Sequence, residues 1–240
     1  MYLSRAVVEM AELAGGLAHE LRNPLSTMMI NLKLLSEDLQ DVAAQTDDMR
    51  RRALRKVEVL RQEAERLQSL FDEFLSLTGS FRLQCAPTDV NSMVDRLRDF
   101  FEPVARSGHV DMIVRTRPGP LVCPVDVKLL NQALLNIVLN AEQAMPNGGV
   151  LCITTDVEAE WVVISVADTG VGIAEKDRDQ VLRPFFSTKA TGSGLGLSIT
   201  QRIVGEHGGT LSFESEPGAG TTFRVRLPLH SRDVPAEQPA

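Results

Sequence analysis

Asp168-Thr169-Gly170-Val171-Gly172 and, further on, Gly192-Ser193-Gly194-Leu195-Gly196-Leu197 decide how the second half of this chain folds. The first run follows Trp161–Ala167, where apolar and polar residues alternate as in a half-buried strand. Asp168 therefore ends a strand, and Gly170 and Gly172 turn the chain. The second run opens a helix expected from Leu195 to Glu206, whose first N–H groups favour an anion. A dinucleotide-binding glycine turn joins a strand directly to a helix inside a βαβ unit. Here the second run follows a loop and no βαβ unit surrounds it, which argues against that fold.

Working outward, the pattern predicts a helix over about Val90–Arg106 and strands near Val110–Arg115 and Leu121–Val125. A helix follows, N-capped by Asp126 and reaching Met145, where Pro146-Asn147-Gly148-Gly149 stops it. Val150–Thr155 and Trp161–Ala167 read as a strand pair. Thr210–Ser215 and Thr221–Leu227 read as a closing hairpin around Pro217-Gly218. Strands and helices mix without strict alternation, so the expected fold is an α/β two-layer sandwich.

The first half is different. Met10, Ala14, Leu17, Leu21, Leu25, Met28, Leu32, Leu35 and Leu39 step by threes and fours, the spacing of an amphipathic helix. After a polar stretch, Gln40–Asp48, a heptad seam runs through Ala53, Val57, Leu60, Ala64, Leu67, Phe71 and Phe74. Two such helices make a hairpin that buries one side of each, so a homodimeric four-helix bundle is expected. The expected domains are 1–80 (helical), 81–230 (α/β sandwich) and 231–240 (a disordered tail).

A net charge of -7 argues against nucleic acid as a partner, because phosphate backbones reward a basic surface. The basic cluster Arg50–Lys56 reads as a solvated helix face. Cys85, Cys123 and Cys152 are odd in number and lack metal-ligand spacing, which fits buried thiols in a reducing compartment. No apolar run approaches the roughly 20 residues that span a bilayer, so a cytoplasmic chain is expected.

Two places offer chemistry. In His19-Glu20-Leu21-Arg22-Asn23-Pro24-Leu25, His19 falls off the apolar line and points outward. A neutral imidazole there is a competent nucleophile, and Glu20 can take the proton from its other nitrogen. Asn23 lies one turn on, on the same face, and Pro24 should bend the helix. The ordinary alternative is a bundle helix with an incidental surface histidine. On the helix from Asp126, Asn136 and Asn140 are four apart and share a face. Buried amides need partners, and an amide oxygen suits Mg²⁺. Alternatively, the pair caps nearby backbone.

In this order, these segments together resemble the boxes of a sensor histidine kinase of two-component signalling. Gly16-Leu17-Ala18 through Leu25 resembles the phosphoacceptor box, with His19 and Glu20 as catalytic residues. Asn136–Ala141 resembles the N-box of the Bergerat-type ATPases, with Asn140 as the Mg²⁺ ligand. Asp168, Gly170 and Gly172 then correspond to the adenine-binding turn, and Gly192, Gly194, Gly196 and Leu197 to the phosphate loop. Arg183-Pro184-Phe185-Phe186-Ser187-Thr188-Lys189 resembles the F-box and ATP lid. In it, Phe185 serves as a docking anchor or a core closure, and Thr188 and Lys189 lie near the phosphates. Gly218–Phe223 resembles the last box, with a structural role expected. Asn140–Met145 and a short lid resemble the cytoplasmic nitrogen-regulatory kinases most.

The resemblance implies ATP and Mg²⁺ as cofactors, autophosphorylation of His19 and transfer to an aspartate of a response-regulator receiver domain. It also implies phosphatase action through Asn23. So few residues precede His19 that the signal is expected from a separate sensory protein, or from a longer chain of which this is the catalytic part. A non-catalytic ATP-gated scaffold is the rival, and the intact His19, Asn140 and Asp168 argue against it.

Overall fold

The computed structural model describes residues 17, 21–35, 37, 47–78, 83–189 and 192–229. The expected tail over 231–240 lies outside them. Contacts divide the chain into two compact units, Met1–Gly79 with Ser187–Leu195, and Ser80–Phe186 with Gly196–Ala240.

In the first unit, α1 is helical over 21–35, with Pro24 buried inside it, and α2 spans Asp47–Thr78. The 32 residues of α2 contain no Gly or Pro and are rich in Leu, Arg, Glu and Gln, which lose little side-chain freedom in a helix. On its exposed side Arg61 pairs with Glu58 at 2.6 Å and Glu65 at 2.5 Å. Arg51, Arg52 and Arg55 of the basic cluster are exposed, whereas Lys56 donates to the Leu34 carbonyl at 3.0 Å and ties α2 to α1.

The predicted seam is divided between two surfaces. Ala53, Leu60, Leu67 and Phe74 are half-buried and Leu70 is buried, while Val57 and Phe71 stay 49% and 52% exposed. Residues three and four apart flank the buried line on opposite sides, so one hairpin covers only one flank. Leu25, Met29 and Leu32 on α1 and Leu54 and Leu75 on α2 are exposed as well. Within the same unit Ser193 Oγ donates to Glu73 Oε2 at 2.7 Å. Burial pushes the Glu73 carboxyl above its ordinary value, and the Ser193 hydroxyl partly offsets that.

The second unit is built on a five-stranded sheet in the order β2-β4-β5-β7-β6. Its strands are β2 (Val110–Arg115), β4 (Gly149–Glu158), β5 (Trp161–Asp168), β6 (Thr210–Glu216) and β7 (Gly220–Pro228). Only β2 and β4 run parallel; the other neighbours are antiparallel. Helices α3 (Val90–Ser107), α4 (Val127–Gln143) and α5 (Gly196–Glu206) supply the second layer. Their apolar faces close a core with Leu151, Ile153, Val162, Ile164, Val225 and Leu227 of the strands. This is the two-layer α/β arrangement expected.

A small second sheet pairs β1 (Ala86–Asp89) antiparallel with β3 (Val122–Val125), Pro87 opposite Pro124. The β1 strand had no signal in the sequence, because four residues containing a proline show no usable alternation. Two caps fix the helices that follow. Asp89 accepts from Asn91 N–H, and Asp126 from Lys128 and Leu129 N–H, each the N-cap pattern. His207 Nε2 accepts the Asp126 N–H at 2.9 Å, so its Nδ1 carries the proton and donates to the Ile203 carbonyl at 2.8 Å. The start of α4 is thereby held to the end of α5. All three cysteines are free. Cys123 is buried, and burial, aided by the neighbouring Cys85, pushes its thiol up to about 11. Cys85 and Cys152 correct the expectation of buried thiols: Cys152 is half-buried on β4, and Cys85 is exposed because it precedes β1 outside the core.

Candidate functional site

The α4 helix has two kinds of surface. Leu130, Ala133, Leu134, Ile137, Val138 and Ala141 are buried, while Asn136 and Asn140 lie half-buried at its margin. Asn136 Nδ2 donates to the Gly196 carbonyl at 3.1 Å, which ties the middle of α4 to the first residue of α5. A methyl group on Gly196 would stand 3.6 Å from the Asn136 side chain, an ordinary contact. Both amides are half-buried, where buried ones were expected. The α5 helix begins at Gly196, where the glycine run was expected to open a helix, and Leu197 is half-buried in its first turn.

Asp168 ends β5 and is buried. Its Oδ1 accepts two backbone N–H groups, from Gly170 at 2.8 Å and Thr221 at 3.2 Å. The turn that follows is held from three sides. Val171 N–H donates to the Ala144 carbonyl at the end of α4, Thr169 N–H to Val150, and Gly218 N–H to the Val171 carbonyl. Ile173 N–H donates to Ser215 Oγ at 2.8 Å. Glycine is required here by crowding. A Cβ on Gly170 would lie 2.6 Å from the Ala144 carbonyl oxygen, and Gly172 combines φ +68 with a Cβ position 2.2 Å from the Glu216 carbonyl oxygen. Protein backbone takes the space these two glycines leave.

Ser215 and Thr221 carry this anchoring, and neither was singled out from the sequence. Ser215 is cross-strand from Thr221, which is cross-strand from Asp168, so the three form a row across β6, β7 and β5. The signal was the Gly218–Phe223 box, read only as structural. A hollow of about 340 Å³ opens at the end of this hairpin, lined by the row Asp168, Thr221 and Ser215 together with Glu214, Glu216 and Thr222. Its two glutamates repel phosphate, so the hollow does not hold the phosphates of a nucleotide.

Phe185 is half-buried with φ 62, a left-handed backbone uncommon outside glycine, and Phe186 is half-buried beside it. Thr188, Lys189, Gly192 and Gly194 fall in the segment that clusters with the helical unit. There Lys189 N–H donates to Ser187 Oγ at 3.1 Å, and Gly194 has φ 69. Asn23 is exposed on α1. His19 and Glu20 lie outside the described residues. Among the described residues no helix is long and apolar enough to cross a membrane, and no group of three or more His, Cys, Asp or Glu side chains is placed to hold a metal.

Residues 125–231 match the family described as histidine kinase-, DNA gyrase B- and HSP90-like ATPase, and residues 9–78 match the His kinase A (phospho-acceptor) domain. The sensor histidine kinase ZraS of Escherichia coli (strain K12) is 34% identical over 224 residues, covering 93% of this chain and 46% of its own length. The chain thus spans about half the length of the curated relatives it matches. The nucleotide-free catalytic domain of the histidine kinase ThkA is 30% identical with a TM-score of 0.57, covering 62% of this chain and 97% of that one. ThkA in complex with the response regulator protein TrrA is 24% identical with a TM-score of 0.75, covering 94% of this chain and 63% of that one, a likeness of fold.

Proposed function

We infer, from the premise that this chain belongs to the sensor histidine kinases of two-component signalling, that it phosphorylates its own His19 from Mg-ATP. It then passes the phosphoryl group to an aspartate of a response-regulator receiver domain. The observation that carries this reading is the coupling of Asn136 to Gly196 and of the Asp168 turn to Ala144 at the end of the same helix. Both contacts are made to one element, α4, and this supports reading them as two ends of one nucleotide site.

Asp168 is a buried carboxylate at the end of β5, a hydrogen-bond acceptor of the kind that suits the amino group of adenine. The first N–H groups of α5 suit the phosphates. Asn140 offers the hard amide oxygen that Mg²⁺ takes, and bound Mg²⁺ would neutralise charge on those phosphates. Asn136 is an amide and cannot act as a general base, so it does not activate water against the nucleotide. His19 is the nucleophile. A ring nitrogen forms a bond to the γ-phosphorus, the bond to the β–γ bridging oxygen breaks, ADP leaves, and the proton on the other ring nitrogen passes to Glu20. The exposed apolar stripe of α2 supports a homodimeric bundle. Exposed Asn23, one turn beyond His19, supports a second activity: it can orient water against a receiver's phospho-aspartate.

Incubation of the purified chain with Mg²⁺ and γ-labelled ATP tests the reading. The label should be acid-labile and base-stable. His19→Gln should abolish it while nucleotide binding survives, and label persisting in that variant would overturn the assignment.

A further inference from the structure

We propose that Ser215 is the positioning residue that sets which purine the site accepts, by fixing the hydroxyl of Thr221 beside Asp168. This rests on Asp168 as the base-binding carboxylate. Ser215 Oγ lies 3.0 Å from the Gly220 carbonyl oxygen, 2.9 Å from Thr221 Oγ1 and 2.8 Å from Ile173 N. A serine hydroxyl has one proton and two lone pairs. A carbonyl only accepts, so the proton of Ser215 goes to Gly220. The hydroxyl–hydroxyl contact then requires Thr221 to donate, and the Ile173 N–H fills the second lone pair. Every capacity of Ser215 is used.

Thr221 is left with no proton to give. Its hydroxyl hydrogen is committed to Ser215 and its amide hydrogen to Asp168 Oδ1. Both are buried, and in the row that crosses β5 and β7 the carboxylate and the hydroxyl oxygen present acceptors only. A purine with a 6-amino group meets them as a donor. A purine with a 6-oxo group brings an acceptor against acceptors, and buried polar groups left unpaired in this way give strong discrimination. Removing the Ser215 hydroxyl frees the Thr221 hydroxyl to rotate and donate. It also strips the acceptor from Ile173 N–H, directly after Gly172.

Calorimetric titration of the full chain with ATP and with ITP, which differs at the 6-position of the base, tests this. Ser215→Ala should lose ATP affinity more than ITP affinity, lowering the ATP preference roughly five- to tenfold, the worth of about one hydrogen bond. Ser215→Thr, which keeps the hydroxyl, should restore the preference. Equal loss for both nucleotides in Ser215→Ala would mark a merely structural role and overturn the proposal. If Ser215→Ala does not fold, Ser215→Cys, a weak donor and acceptor, is read by the same ratio. Asp168→Ala separates the two levels. Wild-type affinity in that variant removes the base-site reading itself. Lost affinity there with an unchanged ratio in Ser215→Ala removes only the role of Ser215.

Discussion

Replacing Asp168 separates its structural duty from its binding duty. In Asp168→Ala the N–H groups of Gly170 and Thr221 lose the acceptor they share at 2.8 and 3.2 Å in a buried position. Each orphaned buried donor costs about 1–3 kcal/mol. Partial access of water at the strand end brings the pair to about 3 kcal/mol. For a unit of this size about 1 kcal/mol moves the midpoint by roughly 3 °C, so the catalytic unit should melt about 10 °C lower. Asp168→Asn keeps a carbonyl-type oxygen that accepts both N–H groups and loses only the gain from charge, about 1 kcal/mol. That variant should melt roughly 3 °C lower yet still bind Mg-ADP poorly, because its amide presents a donor toward the adenine amino group. Calorimetric melts of both variants, paired with ADP titrations, check this. An Asp168→Ala midpoint within a degree of wild type would refute the anchoring role, and wild-type ADP affinity in Asp168→Asn would refute the base contact.

Three further outcomes are expected. Phe71→Glu sits on the exposed apolar stripe, so it should convert a dimer to a helical monomer by light scattering; a dimer that persists would show that the stripe is not the interface. Burial pushes the Asp126 carboxyl up, but the N–H groups of Gln84, Leu129 and Lys128, with His207 nearby, outweigh it and hold the carboxyl below its ordinary range. A depressed carboxyl stabilises the fold above its unfolded value and loses that contribution as pH falls through the folded one. The gap between wild type and Asp126→Ala in urea melts should thus be about 1 kcal/mol at pH 7 and shrink below about pH 4; a gap unchanged in acid would contradict the capping role. Asn23→Ala should keep autophosphorylation and lose most dephosphorylation of a receiver, whereas Glu20→Ala should damage autophosphorylation first; identical defects would remove the division of labour.

Most of the fold was legible in the chain because its signals are local. The α4 start follows from Asp126 as a cap, its end at Gln143 falls two residues short of the expected Met145, and the strands follow from alternation, all matters of neighbouring residues. The sequence by itself also placed Asn136 with Asn140 and marked Asp168 as the end of a strand, since helical and extended geometry are set by backbone sterics. Tertiary structure decided the rest. Whether Val57 or Leu60 faces the hairpin depends on the twist between two helices, which no periodicity states. The β1 strand exists only because β3 supplies its hydrogen bonds. The row Ser215–Thr221–Asp168 is set by the register of three strands from distant parts of the chain. Register is a property of pairing, so it becomes visible only once the strands lie side by side.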